Sequence, residues 1–580
     1  MSSSFCSTLL ATLMLVSSPL TLWSSDSQTQ TANAALLTAD QLFRAGKFAE
    51  AEISYQTLLK EDPNLVTAQV GLVRSMLRQQ KVDEAWERVS AALVARPDSA
   101  VLLAVKGDVQ FRQGKMPDAE ASYLAAKKAD VKEVRAYLGL TRLYASSSLY
   151  RQAYDQLQIA HEIAPDQIEV RKAWIGMLPG KERLAALKAY LAGPHPDDEE
   201  ETLMMQETLE FLKATVDKPV HACKLVSKLE HTEANLEMLY TQNVHRMRGI
   251  GLSVKVNDQH VRLLLDTGGS GVLVSRKFAE SAKLTRISTR HFGGIGDQGL
   301  QSGYSALADR LQVGDLEFQD CVVSVIDKDS VLDQDGLIGA NVFRAYLVDL
   351  DLPEMRLKLS PLPKRPEDSV APKALNSEEE EAAAERKEES AEEQISTVPK
   401  SSALPSTATA QHLPKDRYIA PEMTYWTKFF HSGHLVLLPT SVDFSDTVLF
   451  GLDTGAPVNC LSIHAEKQIN SSAENRVHFR GLSGEVDKAY VTQAVLIFAH
   501  SQWKTGILTF DLSNVSRHAG TEVSGLLGFG LLRQLEVMLD YRDGLVNFIY
   551  DPTRRNLAPP SSAPATGQKP GSSAPSFVPK

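Results

Sequence analysis

The sequence predicts a multidomain chain with an N-terminal all-α solenoid followed by two all-β lobes. Three observations carry this expectation. Residues repeat at a period of 34 from Thr38 to about Ala173. From about Met247 the pattern changes to short apolar runs of alternating character. Within that second region Leu265-Asp266-Thr267-Gly268-Gly269-Ser270 recurs, altered, as Leu452-Asp453-Thr454-Gly455-Ala456-Pro457, 187 residues downstream. At 580 residues the chain exceeds what one hydrophobic core normally supports, so about two to four domains are expected.

The first element, residues 1–34, has an apolar stretch from Leu9 to Leu22, Ser-rich sequence, and Ala32-Asn33-Ala34 ahead of Ala35. This pattern matches a secretory signal with a small-residue cleavage site, although its start carries no Lys or Arg. Export to the periplasm or the medium is expected. The run is too short and too rich in Ser and Thr for a membrane anchor, so no stable span is expected in the mature chain. Cleavage would remove Cys6 and leave Cys223, Cys321 and Cys460. Three cysteines make no disulfide scaffold and show no metal-ligand spacing; one bridge is the maximum, and none is expected. The formal net charge of -11 and the lack of a concentrated basic patch speak against nucleic-acid binding.

The second element, residues 35–178, holds the repeats. Gly46-Lys47 is followed by Gln80-Lys81 and Gly114-Lys115. Ala51, Ala85, Ala119 and Ala153 fall in register, as do Tyr55, Val89, Tyr123 and Leu157. Pro63, Pro97 and Pro165 stand at unit ends, where a missing backbone N–H is tolerated. This resembles the tetratricopeptide pattern of paired antiparallel helices. Small residues let two helices approach, and stacked units bury what one unit cannot. The resemblance implies a surface that holds a protein or peptide partner.

Residues 179–244 read as a helical capping and connecting segment. Its charged helical run, from about Lys181 to Ala214, is interrupted by Pro194 and Pro196. His195 lies beside Asp197, Asp198 and Glu199, and a solvated turn is expected there rather than a metal site.

The first β lobe, residues 245–360, contains the runs Leu252–Val256 and Val261–Leu265 around a turn at Asn257-Asp258, with later strands at Leu311–Val313 and Val322–Ile326. The second, residues 416–552, repeats the order of elements from about Tyr425 to Tyr550. Between them, residues 361–415 are rich in Pro, Ser, Ala and Glu, with nine glutamates between Glu378 and Glu393. Such charge density argues for a flexible acidic tether. The Pro/Ser/Ala-rich tail, 553–580, reads as disordered.

Each Asp-Thr-Gly is followed by a second shared motif. Gly336-Leu337-Ile338-Gly339-Ala340-Asn341-Val342-Phe343 starts 70 residues after Asp266, and Gly525-Leu526-Leu527-Gly528-Phe529-Gly530-Leu531-Leu532 starts 72 after Asp453. Asp351 and Asp540 each lie 12 residues past the second glycine. In these features the chain resembles the retropepsin-like aspartic proteases and their bacterial relatives, over both lobes. The resemblance implies one active loop per lobe, catalytic carboxyls at Asp266 and Asp453, and Thr267 and Thr454 as hydroxyls bracing the two loops. Gly268 and Gly455 would let the backbone approach closely. Family members cover the cleft with hairpin flaps, which implies flaps around Gly294, Ile295 and Gly296 in lobe one and Gly481, Leu482 and Ser483 in lobe two; an ordinary surface hairpin is the plainer alternative.

The chemistry follows from the residue types. Two carboxyls forced together share one proton, because both cannot readily be charged. The ionised member takes a proton from water as the water attacks a peptide carbonyl, and the protonated member hydrogen-bonds the carbonyl oxygen. No metal or organic cofactor is needed. Pro457, where a small polar or acidic residue is more usual, and Gly530, opposite Asn341, set the second site apart. The sequence therefore favours a multidomain aspartic endopeptidase, a tetratricopeptide-like solenoid ahead of two retropepsin-like lobes that act on a protein or peptide. The alternative is an exported interaction scaffold that has lost catalysis. The oligomeric state stays open, and pairing of each lobe with its counterpart in a second chain is one variant.

Overall fold

A computed structural model of the chain describes residues 23–217, 223–240, 247–293, 300–329, 331, 334–366, 414–469, 476–481 and 484–554. Most of the acidic tether, most of the tail and the first 22 residues of the expected signal lie outside these ranges. Helix Trp23–Arg44 runs through Ala34.

The repeat period becomes four helical pairs: Trp23–Arg44 with Phe48–Glu61, Val66–Arg78 with Val82–Ala95, Ala100–Arg112 with Met116–Ala129, and Val134–Ser146 with Tyr150–Ile163. The in-register residues are core. Ala51, Ala85, Ala119 and Ala153 are buried, and so are Tyr55, Val89, Tyr123 and Leu157. Pro63, Pro97 and Pro165 all fall in the links between pairs. The tight turn within each pair needs a left-handed residue. Gly46 and Gly114 supply it at φ 73° and 75°, whereas Gln80 and Ser148 adopt 62° and 56° at the matching places.

Units interlock through aromatic rings over glycines. A Cβ added at Gly71 would lie 2.3 Å from the Tyr55 ring, and one at Gly139 would lie 2.2 Å from the Tyr123 ring. The Tyr123 hydroxyl donates to Asp108 at 2.9 Å, and Asp108 pairs with Arg135 at 3.2 Å. The buried hydroxyl and carboxylate satisfy each other within the third pair, and the Arg135 contact carries the network to the fourth.

Within 179–244, read from sequence as helical, helix extends only to Thr215. Gly180–Leu191 and Glu199–Thr215 flank the Pro194/Pro196 break. The second helix opens on a capping box, with the Glu201 N–H donating to Asp198 at 2.8 Å. Strands Lys224–Leu225 and Thr232–Tyr240 then follow. The second buries Thr232, Leu236 and Leu239 and joins the sheet between Met247–Val256 and Arg356–Pro361, which fixes it as β. The turn at His195 also departs from expectation, since it is not solvated. The His195 ring stacks on Tyr190, and the neighbouring buried Asp197 accepts from the Tyr190 hydroxyl at 2.6 Å and pairs with Lys172. Among the described residues no group of three His, Cys, Asp or Glu side chains is arranged to hold a metal ion.

The C-terminal region is β-rich and forms two sheets whose pairings repeat. Strand Gln259–Asp266 runs parallel to Gly336–Gly339, with Asp266 opposite Gly339; Val448–Asp453 runs parallel to Gly525–Gly528, with Asp453 opposite Gly528. Val272–Ser275 lies antiparallel to the first glycine-ended strand and parallel to Leu316–Ile326. Asn459–Ser462 makes the same two pairings with Gly525–Gly528 and Ser501–Phe510. The halves join where Tyr346–Asp351 pairs antiparallel with Glu536–Asp540, Leu350 facing Val537. Cys223 and Cys321 form a disulfide that ties the entry strand to Leu316–Ile326, contrary to the expectation of three free thiols; Cys460 is free and buried.

The helical array packs against the second half of the β region. Phe111, Met116 and Tyr144 share a core with Leu437, Leu449, Phe510, Val523 and Leu526. Backbone bonds seal the contact, with the Glu522 N–H donating to the Arg112 carbonyl at 2.8 Å and the Thr521 hydroxyl to the Phe111 carbonyl at 2.6 Å. Asp416 accepts from the Arg151 N–H at 2.8 Å at the start of helix Tyr150–Ile163. Helix Glu199–Thr215 reaches the first half, where Glu207 accepts from His291, and the second, where Glu200 pairs with Arg517 at 2.7 Å.

Substitution of Gly139 by Ala should destabilise the chain by about 1–3 kcal/mol, because the added methyl meets the buried Tyr123 ring. Thermal unfolding of the variant would measure this, and an unchanged melting temperature would refute the ring-over-glycine packing.

Candidate active site

Both Asp-Thr-Gly loops begin where an apolar strand ends on its aspartate. Leu263, Leu264 and Leu265 are buried ahead of Asp266, as Leu449, Phe450 and Leu452 are ahead of Asp453. A buried strand end cannot wander, so each aspartate leaves its sheet at a fixed point. The parallel neighbours Gly336–Gly339 and Gly525–Gly528 end level with these residues.

The two loops then exchange hydrogen bonds crosswise. The Thr267 N–H donates to the Thr454 hydroxyl at 3.0 Å, and the Thr454 N–H donates to the Thr267 hydroxyl at 2.9 Å. Each hydroxyl passes its own proton onward, Thr267 to the Leu452 carbonyl and Thr454 to the Leu265 carbonyl, both at 2.8 Å. Both threonines are 1% exposed.

The brace sets the two carboxyls over opposite glycines. A Cβ at Gly268 would lie 2.8 Å from Asp453 Cγ, and one at Gly455 would lie 2.5 Å from Asp266 Cγ. The two carboxyls lie close enough for Asp266 to act on Asp453 electrostatically. Each also keeps a backbone donor. The Gly268 N–H reaches Asp266 Oδ1 at 2.8 Å, and the Ala456 N–H reaches Asp453 Oδ1 at 2.9 Å. Burial and the adjacent Asp266 push the Asp453 carboxyl well above the ordinary carboxylate range.

The second loop is braced differently from the first. In the first, Asn341 Oδ1 accepts from the Gly271 N–H at 3.0 Å, so a downstream side chain reaches back. In the second, Asn459 Oδ1 accepts from the Gly528 N–H at 2.9 Å, so an upstream side chain reaches forward. Gly530 replaces Asn341 because its N–H donates to the Pro457 carbonyl at 3.1 Å and a Cβ there would sit 3.0 Å from that oxygen. Pro457 takes no donor from Asp453, whose partner is the Ala456 N–H.

The flap positions fall largely outside the described residues: Gly294, Ile295, Gly296, Leu482 and Ser483. Their flanking strands pair as hairpins, Phe292 opposite Gln301 and Gly481 opposite Gly484.

Family comparison adds to this geometry. An aspartyl protease model matches residues 252–342, a stretch that contains Asp266, Thr267 and Gly268. A tetratricopeptide repeat-like model matches residues 22–158. The chain thus has a tetratricopeptide-like repeat region and a separate aspartic-protease-family domain. Three solved structures are similar. A thermophilic tetratricopeptide protein of Thermus thermophilus shares 21% identity over 31% of this chain and 98% of its own, at a TM-score of 0.26. A mutant O-GlcNAc transferase of Thermobaculum terrenum shares 22% over 24% of this chain and 26% of its own, at 0.21. Pseudomonas aeruginosa pilF shares 16% over 33% and 88%, at 0.23. No curated protein matches the chain.

Two nearby residues carried no sequence signal. His434 Nε2 lies 2.9 Å from the Gly268 carbonyl. Tyr541 is buried beside Phe429, and burial together with the charge of Asp266 pushes its phenol up. The matched aspartates downstream diverge. Asp351 pairs with Lys358 at 3.1 Å, whereas the fully buried Asp540 accepts from the Asp543 N–H at 3.0 Å.

Thr267→Val should cost on the order of 2–4 kcal/mol, since it leaves the Thr454 N–H and the Leu452 carbonyl buried without partners, while Thr267→Ser should lose less than about 1 kcal/mol. Denaturant unfolding would separate the two, and equal losses would contradict the brace. Burial pushes Asp540 up to about 6, against about 3.9 in an unfolded chain. Between those values the folded state holds more protons, so this group lowers stability as pH rises. Asp540→Asn should flatten that fall and raise the melting temperature at pH 7; a variant with the parent's pH dependence between about pH 4 and pH 7 would contradict this.

Proposed function

We propose that the chain is an aspartic endopeptidase with one internal active site. Two tandem retropepsin-like lobes, residues 245–360 and 416–552, share it through an Asp266/Asp453 dyad. The crosswise threonine exchange carries this reading, because it sets each carboxyl against the glycine of the opposite loop within a single chain.

In this mechanism Asp453 is the protonated member. Burial and the neighbouring carboxylate favour its neutral form. Asp266 is the ionised member, held by the Gly268 N–H. A water between them gives a proton to Asp266 as its oxygen bonds to the scissile carbonyl carbon. The carbonyl electrons move onto oxygen, which takes a hydrogen bond from Asp453. The tetrahedral intermediate collapses when the C–N bond breaks and the leaving nitrogen takes the proton that Asp266 gained from water, giving a carboxylic acid and an amine and returning Asp266 to its ionised form.

The substrate class follows from this chemistry: a protein or peptide chain. Residues 35–178 and 179–244 act first as a frame for the second lobe, because the third and fourth helical pairs already hold it. Recruitment of another protein falls to the opening units. Between them and the segment that follows the fourth pair lies a cavity of about 390 Å³, lined by Phe43, Arg44, Arg74, Glu169 and Arg171. Export, to the periplasm or beyond, is supported by the signal-like 1–34 segment and by the Cys223–Cys321 disulfide, a bond at home in oxidising compartments.

Asp266→Asn and Asp453→Asn should each lower turnover of an unfolded protein or peptide library by about 10²–10⁴-fold at mildly acidic pH. Retained turnover in either variant would reject the shared dyad and favour two sites formed between chains. An inert parent chain that also fails to bind a transition-state mimic would favour the non-catalytic scaffold.

A further inference from the structure

We propose that His434 is a positioning residue for the Gly268 peptide and, through it, for both carboxyl groups. The proposal deepens the dyad reading and rests on it.

Gly268 sits at a crowded point of the site with the least covalent restraint. Asp453 fills the space where its side chain would be, 2.8 Å from a built Cβ to Cγ, so only glycine fits. Glycine also has the widest choice of backbone angles, so its orientation has to be imposed from outside. Two hydrogen bonds impose it. The Gly268 N–H donates to Asp266 Oδ1 at 2.8 Å, and the Gly268 carbonyl, on the next peptide unit, meets His434 Nε2 at 2.9 Å. A carbonyl only accepts, so Nε2 carries the hydrogen and His434 donates. With both polar ends tied, the Gly268 backbone has no free rotation left. Its tilt determines how its N–H meets Asp266 and how close Asp453 can lie.

The donor comes from the opposite half of the molecule. His434 follows Gly433, whose left-handed φ of 58° turns strand Phe430–Ser432 into strand Leu435–Val442. That hairpin is itself anchored, since the Ser432 hydroxyl donates to the Ala519 carbonyl at 2.7 Å and Phe430 and Leu437 pack into the core shared with the helical array. The threonine exchange fixes the start of each active loop, and His434 fixes the exit of the first. Burial holds the imidazole below its ordinary pKa, while the Gly268 carbonyl and the charge of Asp266 act in the other direction. The neutral ring donates a hydrogen bond without adding a cation to the dyad.

Strand register marks the asymmetry. Gly251 lies opposite Leu264, and Leu437 lies opposite Gly451 at the corresponding place. Three residues before Leu437 is His434, in a tight turn, whereas three before Gly251 is Arg248, inside a strand at a shift in its pairing with Thr232–Tyr240.

Two variants test the role. His434→Ala removes the donor, whereas His434→Gln keeps an N–H at similar reach. His434→Ala should lower kcat by about ten- to a hundredfold with KM within about threefold, and His434→Gln should recover kcat to within about threefold of the parent. A kcat unchanged in His434→Ala, or a His434→Gln no better than His434→Ala, would overturn the proposal. Hydrogen exchange read by mass spectrometry supplies a measurement that needs no turnover. His434→Ala should speed exchange in the peptide spanning residues 264–272 and leave 451–459 at the parent rate. Equal exchange in both peptides would also overturn it. An inert parent would count against the dyad reading alone, and the exchange experiment would then decide the role of His434.

Discussion

Everything at the candidate site depends on a reciprocal exchange between two threonines. The Thr267 and Thr454 hydroxyls each accept the other's N–H and donate to the strand of the opposite half. All these groups are buried, so separating the halves would strand two N–H groups and two carbonyls away from water. Backbone satisfaction, rather than any attraction between aspartates, is what holds the carboxyls together. Burial first, and then the neighbouring Asp266, work against a second charge there and raise the proton affinity of Asp453. The antiparallel pairing of Tyr346–Asp351 with Glu536–Asp540 joins the same two halves through backbone bonds.

The two loops reach similar geometry by different local means. Asn341 secures the first from downstream and Asn459 the second from upstream. Pro457, which from sequence alone looks like a lost donor, is tolerated because its carbonyl serves the Gly530 N–H and its missing N–H was never the partner of Asp453. The departures at Pro457 and Gly530 thus belong to one rearrangement.

Features with a period or a fixed spacing were legible in the sequence. The alanines and aromatics of the 34-residue repeat are the buried ones, and the two glycine-ended strands stand beside the two aspartates. What escaped depended on partners distant in the chain. Nothing around Gly433-His434 signals a bond to Gly268, 166 residues earlier. The Cys223–Cys321 pair spans 98 residues and requires knowing which strands are neighbours. Thr232–Tyr240 is a short amphipathic stretch whose β character comes from the sheet waiting for it. The packing of helices against the second half left no motif either, because a leucine that meets a helix looks like one that meets its own sheet.

That packing has a consequence for how the protein is made. The helical array precedes the β region along the chain, and its contacts are local, so it can fold ahead of that region and quickly. The second half arrives last with Leu437, Leu449, Phe510 and Leu526 needing cover, and the face that covers them has by then been finished. The array thus offers the second half a surface to close on. The price of this order is that the β region, released from its helices, would show an oily face to solvent and clump.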